Sequence, residues 1–252
     1  MRNTISRPKS ANRIKEAVIL MAGEGSRLRA AGETSPKPLI DVCGRPLFSY
    51  TIDWLEKAGI KIVHVVTGYE SDKVLAGLKP LLPAGMQLHP IHNRDWRKQN
   101  GISLLAASGQ VTPPFLLTMG DHLFDPAIVD LLMERAHLPD VSLVVDRKLD
   151  SIFDLDDAMK VQTRSNRVVT IGKELVKYDA IDTGLFLCPD AIFEYLIAAN
   201  RDGDCSLAEG VRLMASDGKV RAIDLGDAWW QDVDSAETLE HARKLIATKR
   251  AL

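Results

Sequence analysis

The residues best placed to do chemistry are Gly23-Glu24-Gly25-Ser26-Arg27-Leu28, which follow the apolar run 17–22 and precede Ser35-Pro36-Lys37-Pro38-Leu39. Glycines after a buried strand let backbone N–H groups come close to an anionic ligand. Arg27 offers a bidentate phosphate donor, and Lys37 adds a point charge from the same loop. Standing alone, a Gly-x-Gly is more often a solvated turn with two incidental cations. Two familiar phosphate motifs fail. A Walker loop needs Gly-Lys followed by Ser or Thr, whereas Gly172-Lys173 and Gly218-Lys219 are followed by Glu174 and Val220. A dinucleotide fingerprint needs a third glycine where Leu28 stands, and residues 29–36 read as a proline-containing loop. Hydride transfer is therefore a weak reading, and no Ser, Cys or His triad motif is defensible.

Buried strands and amphipathic helices must position that loop. Residues 17–22 (AVILMA) form a continuous apolar run that suits a strand covered on both faces. Residues 46–58 space their apolar side chains for a helix that stops at Gly59. A strand over 61–66, a helix over 71–78 with a Ser cap, a strand over 115–119, a helix from Asp125-Pro126 to about His137 and a strand over 141–145 continue the alternation. The fold class expected is α/β: a Rossmann-like, mostly parallel sheet flanked by helices, with ligands beyond the carboxyl ends of the strands. Residues 159–187 change to short strands separated by turns, which suggests a smaller β lobe. Helices are expected at 189–199, 206–216 and 235–248. No linker or repeat divides the chain, so residues 1–14 are expected to form a disordered polar arm and 15–252 a single domain.

Composition narrows the class. Of 252 residues, 46% are hydrophobic and 26% charged, which fits a globular chain. A net charge of −2 argues against a general polyanion binder, so no nucleic-acid partner is expected. Three scattered cysteines fit neither a disulfide framework nor a zinc site. No run reaches the roughly 18 apolar residues of a membrane span, and no signal peptide is legible, so the protein is expected to be cytoplasmic. Oligomeric state carries no sequence signal.

The combination AGEGSRL, then PKPLIDVCGRPL, resembles the sugar-phosphate nucleotidyltransferase family, a resemblance that runs from about residue 16 to 245. It implies a nucleotide-diphospho-sugar transferase type of fold. It also implies that Ala22, Gly23, Glu24, Gly25 and Ser26 hold a nucleoside triphosphate, whose phosphates Arg27 and Lys37 neutralise. Nucleotidyl transfer needs Mg²⁺, and hard cations want carboxylate oxygens. Asp121, in Gly120-Asp121-His122 after a buried strand, matches the strand-end metal ligand of the family. Read without the family, a Gly-Asp there is more often a turn. Trp229-Trp230-Gln231-Asp232-Val233-Asp234-Ser235 resembles the family segment in which the first aspartate, here Asp232, is the other ligand. Asp234 or Ser235 reads as the cap of the helix from 235, and His122 as a loop residue.

Asn100-Gly101-Ile102-Ser103 opens a helix after the loop 93–99, where related enzymes place a polar residue and a glycine against the base. Asn100, Gly101 and Ser103 are thus nucleotide-binding candidates, though Asn100 or Ser103 could equally be a helix cap. This segment resembles the cytidylyltransferase branch, and residues 156–161, 169–175 and 178–186 resemble the inositol-1-phosphate cytidylyltransferases. That likeness implies an acceptor lobe in which Lys160 and Lys173 meet a phosphate and Asp182 or Thr183 binds hydroxyls. As strand residues, the lysines could also be merely exposed. Some members carry a fused membrane alcohol-transferase domain that is not legible here, so the later lipid-linked step is expected to belong to another protein. The expected partners are CTP, or another nucleoside triphosphate, and a small phosphorylated polyol. The alternatives are a hexose-1-phosphate uridylyl- or guanylyltransferase and a non-catalytic nucleotide-binding module; retention of Asp121 and Asp232 beside Lys37 argues against the second.

Overall fold

The computed structural model describes residues 14–250. Most of the arm expected over 1–14 lies outside the described residues, and Ile14 is already in the core, 3% exposed. In chain order the first half contains β1 (Glu16–Leu20), α1 (Ser26–Ala30), β2 (Asp41–Val42), β3 (Arg45–Pro46), α2 (Leu47–Ala58), β4 (Ile62–Thr67), α3 (Ser71–Leu78) and β5 (Gln87–His92). It continues with α4 (Asn100–Leu105), β6 (Phe115–Met119), β7 (His122–Phe124), α5 (Ala127–Arg135) and β8 (Val141–Asp146). The second half contains β9 (Lys160–Arg164), β10 (Arg167–Gly172), β11 (Ala180–Cys188), α6 (Ala191–Ala199), α7 (Leu207–Ser216), β12 (Val220–Asp224), β13 (Trp230–Asp232) and α8 (Ala236–Arg250).

Among the described residues, nine strands form one sheet in the order β5-β4-β1-β6-β11-β8-β12-β10-β9. The parallel arrangement expected from the sequence holds for β5, β4, β1 and β6. β11 then enters antiparallel between β6 and β8. Beyond β12 the sheet curls, because β9 pairs with both β10 and the start of β11, and this curl is the smaller lobe. β1 is apolar because both faces are covered. Val18 and Leu20 pack in the cluster shared with α4, α6 and α7, while Ala17 and Ile19 pack on the other face with α2, α3 and α5. A third cluster seats Leu239, Ala242 and Ile246 of α8 against Leu28, Val42, Leu123 and Val233. No helix among the described residues is long and apolar enough to cross a membrane.

Several boundaries follow from local chemistry. α2 stops where Gly59 adopts the left-handed conformation. α7 starts on a capping box between Ser206 and Glu209. α3 has no Ser cap, since Ser71 is already helical and its hydroxyl pairs with Thr67 Oγ1 at 2.7 Å. β5 carries Pro90, which an edge strand tolerates.

Candidate active site

The cleft forms where the chain reverses direction through the sheet. From β1 the chain passes to β4 and β5 on one side, then returns to β6 on the other, so a crevice opens beyond the carboxyl ends of β1 and β6. A cavity of about 650 Å³ occupies this place, and Gly23, Gly25, Lys37, Asp121 and Asp232 are among the residues lining it.

Asp121 and Asp232 lie far apart in sequence, and a two-stranded ribbon joins them. β7 and β13 run antiparallel with His122 opposite Asp232, and the Val233 N–H donates to the Asp121 carbonyl at 2.9 Å. Lys37 reaches this ribbon from the turn after the glycine loop. Its Nζ lies 2.6 Å from Asp121 Oδ2 and also pairs with Asp234 Oδ1. Arg27 places one guanidinium nitrogen 2.9 Å from Asp234 Oδ2 and the other 2.9 Å from Asp157 Oδ2. Asp157 in turn accepts from Lys173 Nζ through its other oxygen. His122 Nδ1 pairs with Asp121 Oδ1. Its ring packs against Gly184, whose φ of +74° and a Cβ position 2.7 Å from His122 Nε2 both require glycine.

The acids divide by environment. Burial raises the pKa of Asp121, but Lys37 and His122 outweigh it and hold the carboxyl well below the usual range. Burial likewise opposes charge on Lys37, and Asp121 and Asp234 overcome it, so Lys37 is held firmly protonated. Asp232 is shifted upward, first by burial and then by repulsion from Asp234 and Asp121, which His122 and Lys37 only partly offset. It accepts from Gln231 Nε2 at 3.0 Å, and among the described residues it has no Lys or Arg at ion-pair distance. Burial also pushes Asp182 up to about 6.

Several sequence expectations need correction. Of the two residues read as the cap of α8, Ser235 fills the role and Asp234 does not. Asp234 pairs with Arg27 and Lys37, and Ser235 Oγ accepts from the Thr238 N–H at 3.2 Å. His122 is part of the acidic cluster and not a loop bystander. Thr183 is fully buried and donates to the Val144 carbonyl at 2.9 Å, so it cannot meet an acceptor hydroxyl. Lys160 donates to the carbonyls of Asp156 and Lys173, at 3.1 and 2.9 Å, and does not line the cavity. Glu24 and Ser26 are exposed beside the cleft, whereas Ala22, Gly23 and Gly25 line it. Arg27 also lies outside the lining and reaches the cleft through Asp157 and Asp234. Lys173, Asp182, Asn100 and Ser103 do line it. Asn100 does not cap its own helix, which starts after Gln99 with no side-chain cap; its Oδ1 accepts from the Leu207 N–H at 2.8 Å and holds the start of α7. Ser103 accepts from Asn93 Nδ2 at 3.0 Å.

Gly101 faces the protein and not the cleft. A Cβ there would stand 2.6 Å from the Cys205 carbonyl, so the close approach it permits is between α4 and the start of α7. Gly101→Ala should therefore cost about 1–3 kcal/mol in urea unfolding, the range for overpacking, while leaving the nucleotide KM within a few-fold. A raised KM with unchanged stability would return Gly101 to a base pocket.

Residues 17–161 match the family model of the MobA-like NTP transferase domain. The chain is 34% identical over 235 residues to the bifunctional IPC transferase and DIPP synthase of Aquifex aeolicus, covering 92% of this chain and 52% of that protein. A protein of the same name from Rubrobacter xylanophilus is 34% identical over 232 residues, covering 91% and 51%. The chain thus spans about half the length of these curated relatives. The inositol-1-phosphate CTP transferase from T. maritima superposes with a TM-score of 0.82 at 26% identity, covering 93% of this chain and 95% of that one.

Proposed function

The chain belongs to the MobA-like NTP transferase family and is a nucleotidyltransferase, and from that premise we propose that it transfers CMP from CTP to a small phosphorylated polyol of the inositol-1-phosphate kind. The observation that carries the reading is the convergence of Lys37, Asp121 and Asp232 in the β1–β6 crevice, with Lys173 and Asp182 of the smaller lobe on the same cavity. The choice of CTP and of the acceptor is supported by the activity for which the T. maritima structure is named. Asn100 is consistent with it: with its carbonyl engaged, its NH₂ remains as a donor for an acceptor on a pyrimidine edge.

No protein nucleophile is needed. An oxygen of the acceptor phosphate attacks the α-phosphorus of CTP, the bond from that phosphorus to the bridging oxygen breaks, and pyrophosphate leaves with the electron pair. The acceptor is already an anion, because the second pKa of a phosphomonoester is about 6. The loop at Gly23 and Gly25 brings backbone N–H groups to the triphosphate. Arg27 and Lys37 exchange their carboxylate partners for phosphate oxygens and neutralise the charge that gathers on the leaving group.

Mg²⁺ fits the acids present. It is usually held by one or two carboxylates together with substrate phosphates, and among the described residues no group of three His, Cys, Asp or Glu side chains forms an all-protein cage. Asp232 accepts from the neutral Gln231 amide and has no Lys or Arg at ion-pair distance among the described residues, which suits a carboxylate that a hard cation would neutralise. Asp121 and Asp232 would hold the ion, which when bound stabilises charge on the transferred and leaving groups.

The test is pyrophosphate release across CTP, UTP, GTP and ATP, each paired with inositol, sugar, choline and aminoalkyl phosphates. CTP is expected to give the highest turnover. A clear preference for UTP or GTP would overturn the cytidylyl assignment and leave the family intact. Lys173→Ala should raise the KM for the acceptor about 10- to 150-fold, the equivalent of a lost charge-assisted hydrogen bond of about 1.5–3 kcal/mol. Equal effects on both substrates would remove Lys173 from the acceptor subsite.

A further inference from the structure

The segment between β8 and β9 lines the cleft and is tied to four other parts of the molecule. Lys148 donates to the carbonyls of Gly226 and Ala228, at 2.7 and 3.1 Å. Phe153 stacks on His241 of α8 with ring centroids 4.4 Å apart, although it remains 49% exposed. Asp157 uses one oxygen for Arg27 and the other for Lys173. A single carboxylate therefore occupies the cation assigned above to the nucleotide and the cation assigned to the acceptor.

We infer that Asp157 is a positioning residue that stands in for phosphate at both subsites and couples the filling of one to the filling of the other. The inference rests on the proposed function and deepens it. When the triphosphate takes Arg27, Asp157 loses one of its two partners and gains a dianion or trianion as a neighbour. Repulsion then drives it from the cleft, and Lys173 is released for the acceptor phosphate. Nucleotide binding thus raises acceptor affinity, and by linkage the acceptor raises nucleotide affinity by the same factor. The reverse coupling, with Asp157 retreating onto Lys173, would require the segment to stay in place while an anion arrives beside it. The side chains involved are 38% exposed at Asp157, 51% at Arg27 and 48% at Lys173, so each pair is worth little and exchanges readily.

The experiment titrates myo-inositol 1-phosphate calorimetrically into the protein, alone and saturated with the unreactive α,β-methylene analogue of CTP plus Mg²⁺. The wild-type protein should bind the acceptor about 5-fold more tightly with the nucleotide present, the low end of ordinary coupling. Asp157→Asn should bind it with one affinity in both conditions, equal to the tighter wild-type value. A merely structural Asp157 would weaken both affinities and leave their ratio unchanged. Coupling retained in Asp157→Asn, or none in the wild type when both ligands bind, overturns the role of Asp157 alone. Failure of the wild type to bind either ligand overturns the proposed function, and this inference with it.

Discussion

Lys37→Met should lower kcat/KM by about 10²- to 10³-fold, the scale for removing one preorganised donor from a transition-state site. The side chain keeps its length and apolar stem but loses the ammonium that sits between Asp121 and Asp234. The same change leaves two carboxylates without their shared cation. Breaking a buried pair in this way typically costs about 3–5 kcal/mol, so the variant should also melt earlier than the wild type. Added Mg²⁺ should restore more of the lost melting temperature in the variant than in the wild type, because an ion bound only by the folded state stabilises it by mass action. Steady-state kinetics and thermal unfolding with and without Mg²⁺ check both parts. A loss below tenfold would remove Lys37 from the phosphate site.

Asp121→Asn and Asp232→Asn should each lower turnover by about 10²-fold or more, since each removes an anionic oxygen from the proposed metal site. The double variant should be little worse than either single one, because residues that act as a unit are not additive. Stability separates the two positions. Asp121 holds Lys37 and His122, so its amide should destabilise the fold. Asp232 has its pKa raised in the folded state, so the folded protein binds its proton more readily than the unfolded chain does. Its carboxylate therefore lowers stability as pH rises above the ordinary aspartate range. Asp232→Asn should accordingly be neutral or stabilising near pH 7, with that gain fading as pH falls towards 4. Urea unfolding at the two pH values measures this. Strictly multiplicative kinetic losses would show that the carboxylates do not share an ion.

Periodicity made most of the framework legible. β1, α2, β6 and β11 are long apolar runs or clear amphipathic stripes. The glycine loop was legible because a buried strand precedes it and Lys37 follows at close range. What joins the site was not. β7 and β13 have three residues each, too few to show a period, and their pairing is a contact between distant segments. Hence Asp121 and Asp232 rested on resemblance, and His122, Asp157 and Asp234 were missed as members of the cluster. At 234–235 the ambiguity had a local cause: Asp and Ser in sequence both read as caps, and only tertiary contact shows that Ser235 is the cap and Asp234 the partner of Arg27 and Lys37. At Asp182-Thr183, neighbouring strand residues point to opposite faces, so only one of the pair could reach the cleft. The side that faces it depends on the bulge between Asp182 and Phe186, which no pattern in the sequence announces.

The most direct measurement is the ³¹P NMR spectrum of the protein mixed with CTP, Mg²⁺ and myo-inositol 1-phosphate. The proposed function predicts that the γ and β resonances of CTP give way to free pyrophosphate while an unsymmetrical diphosphate diester appears in equal amount. A spectrum unchanged under these conditions, with the corresponding diester formed instead from UTP or GTP and a hexose 1-phosphate, would contradict it.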